Sequence, residues 1–246
     1  MTTTETDDWL RHYHPAPGAN HRLVCFPHAG GAATYFRPVS AALSPRIDVA
    51  AVQYPGRQDR RAEPPVTSIG ELADLVTARL RPRLDRPTAF FGHSMGAVLA
   101  FEVARRLEAD GHALTALFVS GRRAPCRTRV ETSHLLSDDQ LLAEIRGLSG
   151  TDASLLADDE IARMILPAVR ADYRAAETYR YPPGPDVSCP VLALTGADDP
   201  KVTVDEARAW SAHTSASFAL RVFPGGHFYL NDHVPEILAV ISDQLR

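Results

Sequence analysis

The residues most able to do chemistry sit in Gly92-His93-Ser94-Met95-Gly96. The apolar run Thr88-Ala89-Phe90-Phe91 precedes them, and an alanine-rich stretch from Ala97 to Leu107 follows. That order reads as strand, sharp turn, helix, with a serine at the turn. A serine held there projects its hydroxyl above a sheet edge, within reach of a base and a substrate. Gly92 and Gly96 lack a Cβ, which lets the turn close and the helix approach the strand. A hydroxyl is a poor nucleophile at neutral pH. It needs a base to take its proton and a third group to hold that base in the right tautomer.

Both groups are available further along. His227 follows Gly225-Gly226 directly after the apolar run Phe218–Phe223, which singles it out among 10 histidines as the base. His28 and His93 also fall in loops of the candidate site; His93, the variable position of the turn, reads as a packing or hydrogen-bonding neighbour. Asp198 and Asp199 compete as the orienting carboxylate. Asp199 is favoured by its place in a Gly-x-x-Asp pattern after a strand, which leaves Asp198 as a solvated or turn-capping carboxylate. An acyl-transfer serine also needs two amide donors for the developing oxyanion. The residue after the nucleophile supplies one, Met95. The small-residue loop Pro27-His28-Ala29-Gly30-Gly31 supplies the other, at Ala29.

These residues can meet only if the elements carrying them share one sheet edge. Short apolar strands are expected at Arg22–Phe26, Asp48–Tyr54, the stretch opened by Pro87, Ala113–Ser120, Pro190–Thr195 and Ser217–Phe223. Helical patterns alternate with them: Tyr35–Leu43, a face of Ile69, Leu72, Val76, Leu80 and Leu84 capped by Ser68 and Glu71, Val204–Ala212, and His233–Leu245. Strands alternating with helices predict a mostly parallel sheet covered on both faces. Parallel strands bring all their carboxyl-end turns to one edge, and the chain order Ser, Asp, His is that of α/β-hydrolases.

The alternation breaks between about 122 and 185. Ser137 opens a capping box with Gln140 for a helix carrying Leu141, Leu142 and Ile145, stopping near Gly147 and Gly150. Asp158 or Asp159 starts a second helix, and Pro167 is expected to begin another or to kink it. This insertion reads as a helical lid within a single domain spanning 1–246, because insertions at strand carboxyl ends lie where ligands bind. Residues 1–20 read as a loose arm.

Composition narrows the function. With 30 acidic and 26 basic residues, net charge −4 and no basic tract, nucleic acid is not an expected partner. No apolar run of membrane length occurs, so no membrane partner is expected. Cys25, Cys126 and Cys189 are odd in number and far apart, which points to neither disulfides nor a metal site and fits a reducing cytoplasm.

With those residues placed, the chain resembles the type II thioesterases that accompany polyketide and nonribosomal peptide synthases. The resemblance rests on Phe26-Pro27-His28-Ala29-Gly30-Gly31, Tyr54-Pro55-Gly56-Arg57, Gly92–Gly96, Gly196-Ala197-Asp198-Asp199-Pro200, Gly225-Gly226-His227-Phe228 and the stretch from Leu136 to Tyr173. It implies Ser94 as nucleophile, His227 as base, Asp199 as orienter, and the Ala29 and Met95 amides as oxyanion hole. It implies hydrolysis of aberrant acyl groups from phosphopantetheine arms of acyl or peptidyl carrier proteins, with no cofactor bound by the enzyme itself. Arg57, Arg60, Arg61, Arg122 and Arg123 then read either as an entrance rim that meets an acidic carrier or as solvated surface charges. A carboxylesterase, a chain-releasing thioesterase and a non-catalytic binder on the same fold are the competing readings.

Overall fold

The computed structural model describes residues 8–148 and 159–246. The expected helix stop at Gly150, the expected start at Asp158 and the first seven residues of the arm lie outside them.

Seven strands form one sheet: β1 (Leu10–Arg11), β2 (His21–Phe26), β3 (Ile47–Val52), β4 (Thr88–His93), β5 (Ala116–Ser120), β6 (Val191–Gly196) and β7 (Phe218–Phe223). Their spatial order is β1-β3-β2-β4-β5-β6-β7. Every pairing is parallel except β1 with β3. The helices are α1 (Arg37–Leu43), α2 (Ile69–Leu80), α3 (Met95–Ala109), α4 (Asp138–Gly147), α5 (Asp159–Thr178), α6 (Val204–Arg208) and α7 (Val234–Gln244). This is the α/β-hydrolase fold.

Side-chain alternation along the strands builds two cores. Val24, Phe26, Phe90, Leu117 and Val119 face one side, where α2 and α3 cover them. Leu23, Cys25, Phe91 and Phe118 face the other, against Phe36, Ile237 and Ile241. Strands buried on both faces must be apolar throughout, which explains the continuous runs of β4 and β5. Ser68 caps α2 by accepting from the Glu71 amide.

Three sequence expectations change. The arm is not loose across its described part. Trp9 and Leu10 are buried, Gln53 N–H donates to Trp9 O at 2.8 Å, and the Arg60 guanidinium lies 4.2 Å from the Trp9 ring centroid. A two-residue strand is too short for a periodicity signal. Of the two alternatives for Pro167, the start of a new helix is excluded, since it lies inside α5. Pro167 and Arg163, four residues back, are both exposed, so the missing hydrogen bond falls where water can replace it. The third change is at two helix ends: the first turn of the expected Tyr35–Leu43 helix and the last turn of Val204–Ala212 are 3-10 in geometry.

The insertion contains α4 and α5, whose Leu141, Leu142, Ile145, Ala162, Leu166 and Val169 form a third apolar cluster. Ser137 closes the expected capping box with Gln140. Among the described residues, no helix is long and apolar enough to cross a membrane.

Candidate active site

The turn between β4 and α3 is forced by packing. A Cβ on Gly92 would lie 2.2 Å from Gly96 O, and one on Gly96 would lie 2.1 Å from Phe26 O. Those atoms are backbone and cannot yield, so only glycine fits at either position. Between them Ser94 takes φ 54° and ψ −117°, a conformation serine rarely adopts. Its N–H donates to Ser120 O at 2.8 Å, which ties the strained residue to β5.

The ends of β6 and β7 bring the other two groups in. Ala197 N–H donates to Phe223 O at 2.7 Å and Asp198 N–H to Gly225 O at 3.0 Å, so the two strand ends are tied together. His227 Nε2 lies 3.1 Å from Ser94 Oγ. His227 Nδ1 lies 2.8 Å from Asp199 Oδ2. Asp199 Oδ1 accepts from Lys201 N–H at 2.8 Å, and its carboxylate is shut off from solvent. Asp198 is exposed. A carboxylate here accepts the Nδ1 proton, which leaves Nε2 as an acceptor facing the serine hydroxyl.

Ser94, Ala29, Met95 and His227 line a cavity of about 60 Å³ together with Ile145 and Tyr173 of the insertion. The Met95 amide belongs to the first turn of α3, whose N–H groups have no intrahelical acceptor.

His93 lies beside the same imidazole, and His28 lies beside His93. The ring centroids of His93 and His227 are 5.1 Å apart, and those of His28 and His93 are 5.9 Å apart. His93 Nδ1 lies 3.0 Å from Ser120 Oγ, which in turn is 2.7 Å from Tyr229 Oη. Burial, aided by the neighbouring His227, pulls the His28 imidazole down to about 3 and holds His93 well below its usual range. Both stay neutral in the fold at pH values where the unfolded chain takes up their protons. Stability is therefore expected to fall as pH drops below about 6.5, by about 1.4 kcal/mol per pH unit for each imidazole. Urea midpoints measured between pH 7 and pH 5 should show this slope. His93→Gln, which keeps a polar partner for Ser120, should flatten it by one imidazole's share; an unchanged slope would remove His93 from the account.

The arginines expected at the entrance are mostly engaged inside the fold. Arg57 pairs with Asp172, Arg60 with Glu63, and Arg123 with Glu131. Arg122 donates to Ala176 O at 3.1 Å, and burial together with the charge of Arg123 pulls it down to about 10. Of the five, Arg61 alone is exposed. Exposed arginines in sequence and buried ones look alike until their carboxylate partners, as far as 115 residues away, are placed.

The Arg57–Asp172 pair escaped the sequence reading of the site. Its signal was present in α5: Asp172 interrupts the buried stripe of Leu166, Val169 and Ala175. A carboxylate on an apolar helical face requires a cation beside it.

The family described as Thioesterase domain matches residues 21–245. Thioesterase PikA5 of Streptomyces venezuelae is 53% identical over 239 residues, covering 96% of this chain and 85% of that protein. The solved structure of the type II thioesterase BorB from the borrelidin biosynthetic cluster is 58% identical with a TM-score of 0.94, covering 99% of this chain and all of that one. That of YbtT, a type II thioesterase from the yersiniabactin NRPS/PKS pathway, is 31% identical with a TM-score of 0.86, covering 96% of this chain and 97% of that one.

Proposed function

Since the chain belongs to the thioesterase family, we propose that it is the editing hydrolase of a polyketide or nonribosomal peptide pathway, with Ser94, His227 and Asp199 as its catalytic residues. The observation that carries this reading is the unbroken chain of contacts from Ser94 Oγ through His227 to Asp199, at 3.1 and 2.8 Å, opening on the cavity.

The reaction follows from that chain. Ser94 Oγ attacks the thioester carbonyl while His227 Nε2 takes its proton. The Ala29 and Met95 amides receive the negative charge that develops on the carbonyl oxygen. The C–S bond breaks and the thiol leaves with the proton from His227, so an acyl-serine ester remains. A thiolate is a good leaving group, so less acid catalysis is needed than for an amide. Water, deprotonated by His227, then attacks the ester; the free acid leaves and Ser94 regains its proton. No cofactor of the enzyme's own is required, since the phosphopantetheine arm arrives with the carrier protein. The insertion containing α4 and α5 acts as the lid under which a thin, extended arm reaches Ser94.

One comparison tests substrate and partner together: kcat/KM for the same acyl group on a carrier domain, on coenzyme A and as an ethyl ester. The carrier thioester is expected to be the best substrate, by about tenfold or more over coenzyme A. Equal rates on carrier and coenzyme A would remove the carrier from the proposal. A faster ethyl ester would favour a carboxylesterase.

A further inference from the structure

The turn that carries Ala29 is held from outside its own strand. Gly31 N–H donates to His28 O at 2.9 Å and Gly30 sits at φ 78°, the geometry of a type II turn with glycine at its third position. Gly30 N–H then donates to Asp172 Oδ2 at 2.8 Å, on α5. Asp172 is fully buried and also receives Arg57 Nη1 at 2.7 Å and Nη2 at 2.9 Å. Arg57 Nη1 donates in addition to Gly31 O at 2.9 Å. Burial opposes the Arg57 charge, but the Asp172 carboxylate prevails and raises its pKa. One buried ion pair thus grips two successive residues of the turn, Gly30 by its donor and Gly31 by its acceptor.

We propose that Asp172 and Arg57 are positioning residues for the oxyanion hole, a role that rests on reading Ala29 as one of its donors. The middle peptide of such a turn, here Ala29–Gly30, is the one that flips between type I and type II geometry. A flip would swing the Ala29 carbonyl toward the Asp172 carboxylate, oxygen against negative charge. The carboxylate therefore selects the observed orientation of that peptide, and the Arg57 bond fixes Gly31, whose N–H holds His28 O at 2.9 Å, the carbonyl of the preceding peptide that carries the Ala29 N–H. Amide donors stabilise an oxyanion only when pre-aimed, and a misplacement of about 1 Å can cost about 10²-fold in rate. A merely structural ion pair would have no need to contact the turn. Through Asp172 the lid helix contributes to the reaction by a residue that does not itself touch substrate.

Two paired substitutions in the full chain separate the roles. Arg57→Asp with Asp172→Arg keeps opposite charges but leaves no acceptor for Gly30 and no donor for Gly31. Arg57→Met with Asp172→Asn removes both charges and keeps an amide oxygen toward Gly30. The readouts are kcat and KM on an acyl thioester, and the carbonyl stretch of the acyl-serine ester by rapid-mixing infrared spectroscopy. The swapped pair is expected to lose about 10²-fold in kcat with KM little changed, and to shift the ester band to higher wavenumber. The Met/Asn pair, which keeps an acceptor for Gly30 but loses the donor to Gly31, is expected to shift the band and lower kcat in smaller measure than the swapped pair. A wild-type band in the swapped pair overturns the positioning role, whatever its melting temperature. If the swap does not fold, Arg57→Lys, which keeps the charge but forfeits the two-pronged grip, must show the same band shift in smaller measure; an unshifted band overturns the proposal. If the wild type forms no acyl ester on Ser94, the proposed function fails first and this role with it.

Discussion

Ser94→Ala is expected to lower kcat by about 10⁶-fold, the scale seen when the nucleophile of a serine triad is removed. The fold should survive. The Ser94 side chain is half-buried, its hydroxyl bonds to His227, and the backbone bond to Ser120 O is untouched. Alanine also suffers at φ 54° much as serine does, so the strain is inherited and not increased. The measurement is turnover of an acyl-carrier thioester, with mass spectrometry after a fluorophosphonate probe as the direct readout. The wild-type protein should gain one adduct on Ser94 and the variant none. Turnover within tenfold of wild type would sink the nucleophile assignment.

Asp199→Asn is the second large effect, with an expected loss of about 10⁴-fold in kcat. The asparagine oxygen can still accept from Lys201 N–H, which Asp199 Oδ1 does at 2.8 Å. Its NH₂ group then faces His227 Nδ1 and offers a proton where the carboxylate accepted one. The imidazole must turn its lone pair toward that amide and its proton toward Ser94, the tautomer that cannot act as base. Asp198→Asn should change turnover by less than a few-fold, because Asp198 is exposed and its backbone N–H, which the substitution keeps, anchors the strand ends. If Asp198→Asn proves the worse variant, the orienting role belongs one residue earlier.

Much of this architecture was legible because it is written locally. The six parallel strands are apolar runs, the turn around Ser94 is marked by two glycines at a fixed spacing, and the Ser137 cap is a four-residue pattern. The candidate site was legible for a different reason. Once the sheet is parallel, residues just past the ends of β4, β6 and β7 have to converge, and Ser94, Asp199 and His227 stand at those ends. What remained hidden depends on distant pairing. Nothing near Arg57 in sequence announces Asp172, and nothing near Ser120 announces the hydroxyl of Tyr229. Pro167 did not begin a new helix because its cost depends on which way the helix faces, and that is set by packing against α3 and α4.

The short strand β1 has a consequence for handling the protein. It covers the outer side of β3, pairing Leu10 with Val52 and Arg11 with Ala51. Without it β3, buried over all six residues, would present an open row of amides and carbonyls to any other chain. Such an edge is a template for intermolecular pairing, and two residues anchored by a buried Trp9 are enough to blunt it. A truncation that removes Trp9 and Leu10, or a fusion that pulls them off β3, is therefore a route to aggregation that leaves every residue around Ser94 in place.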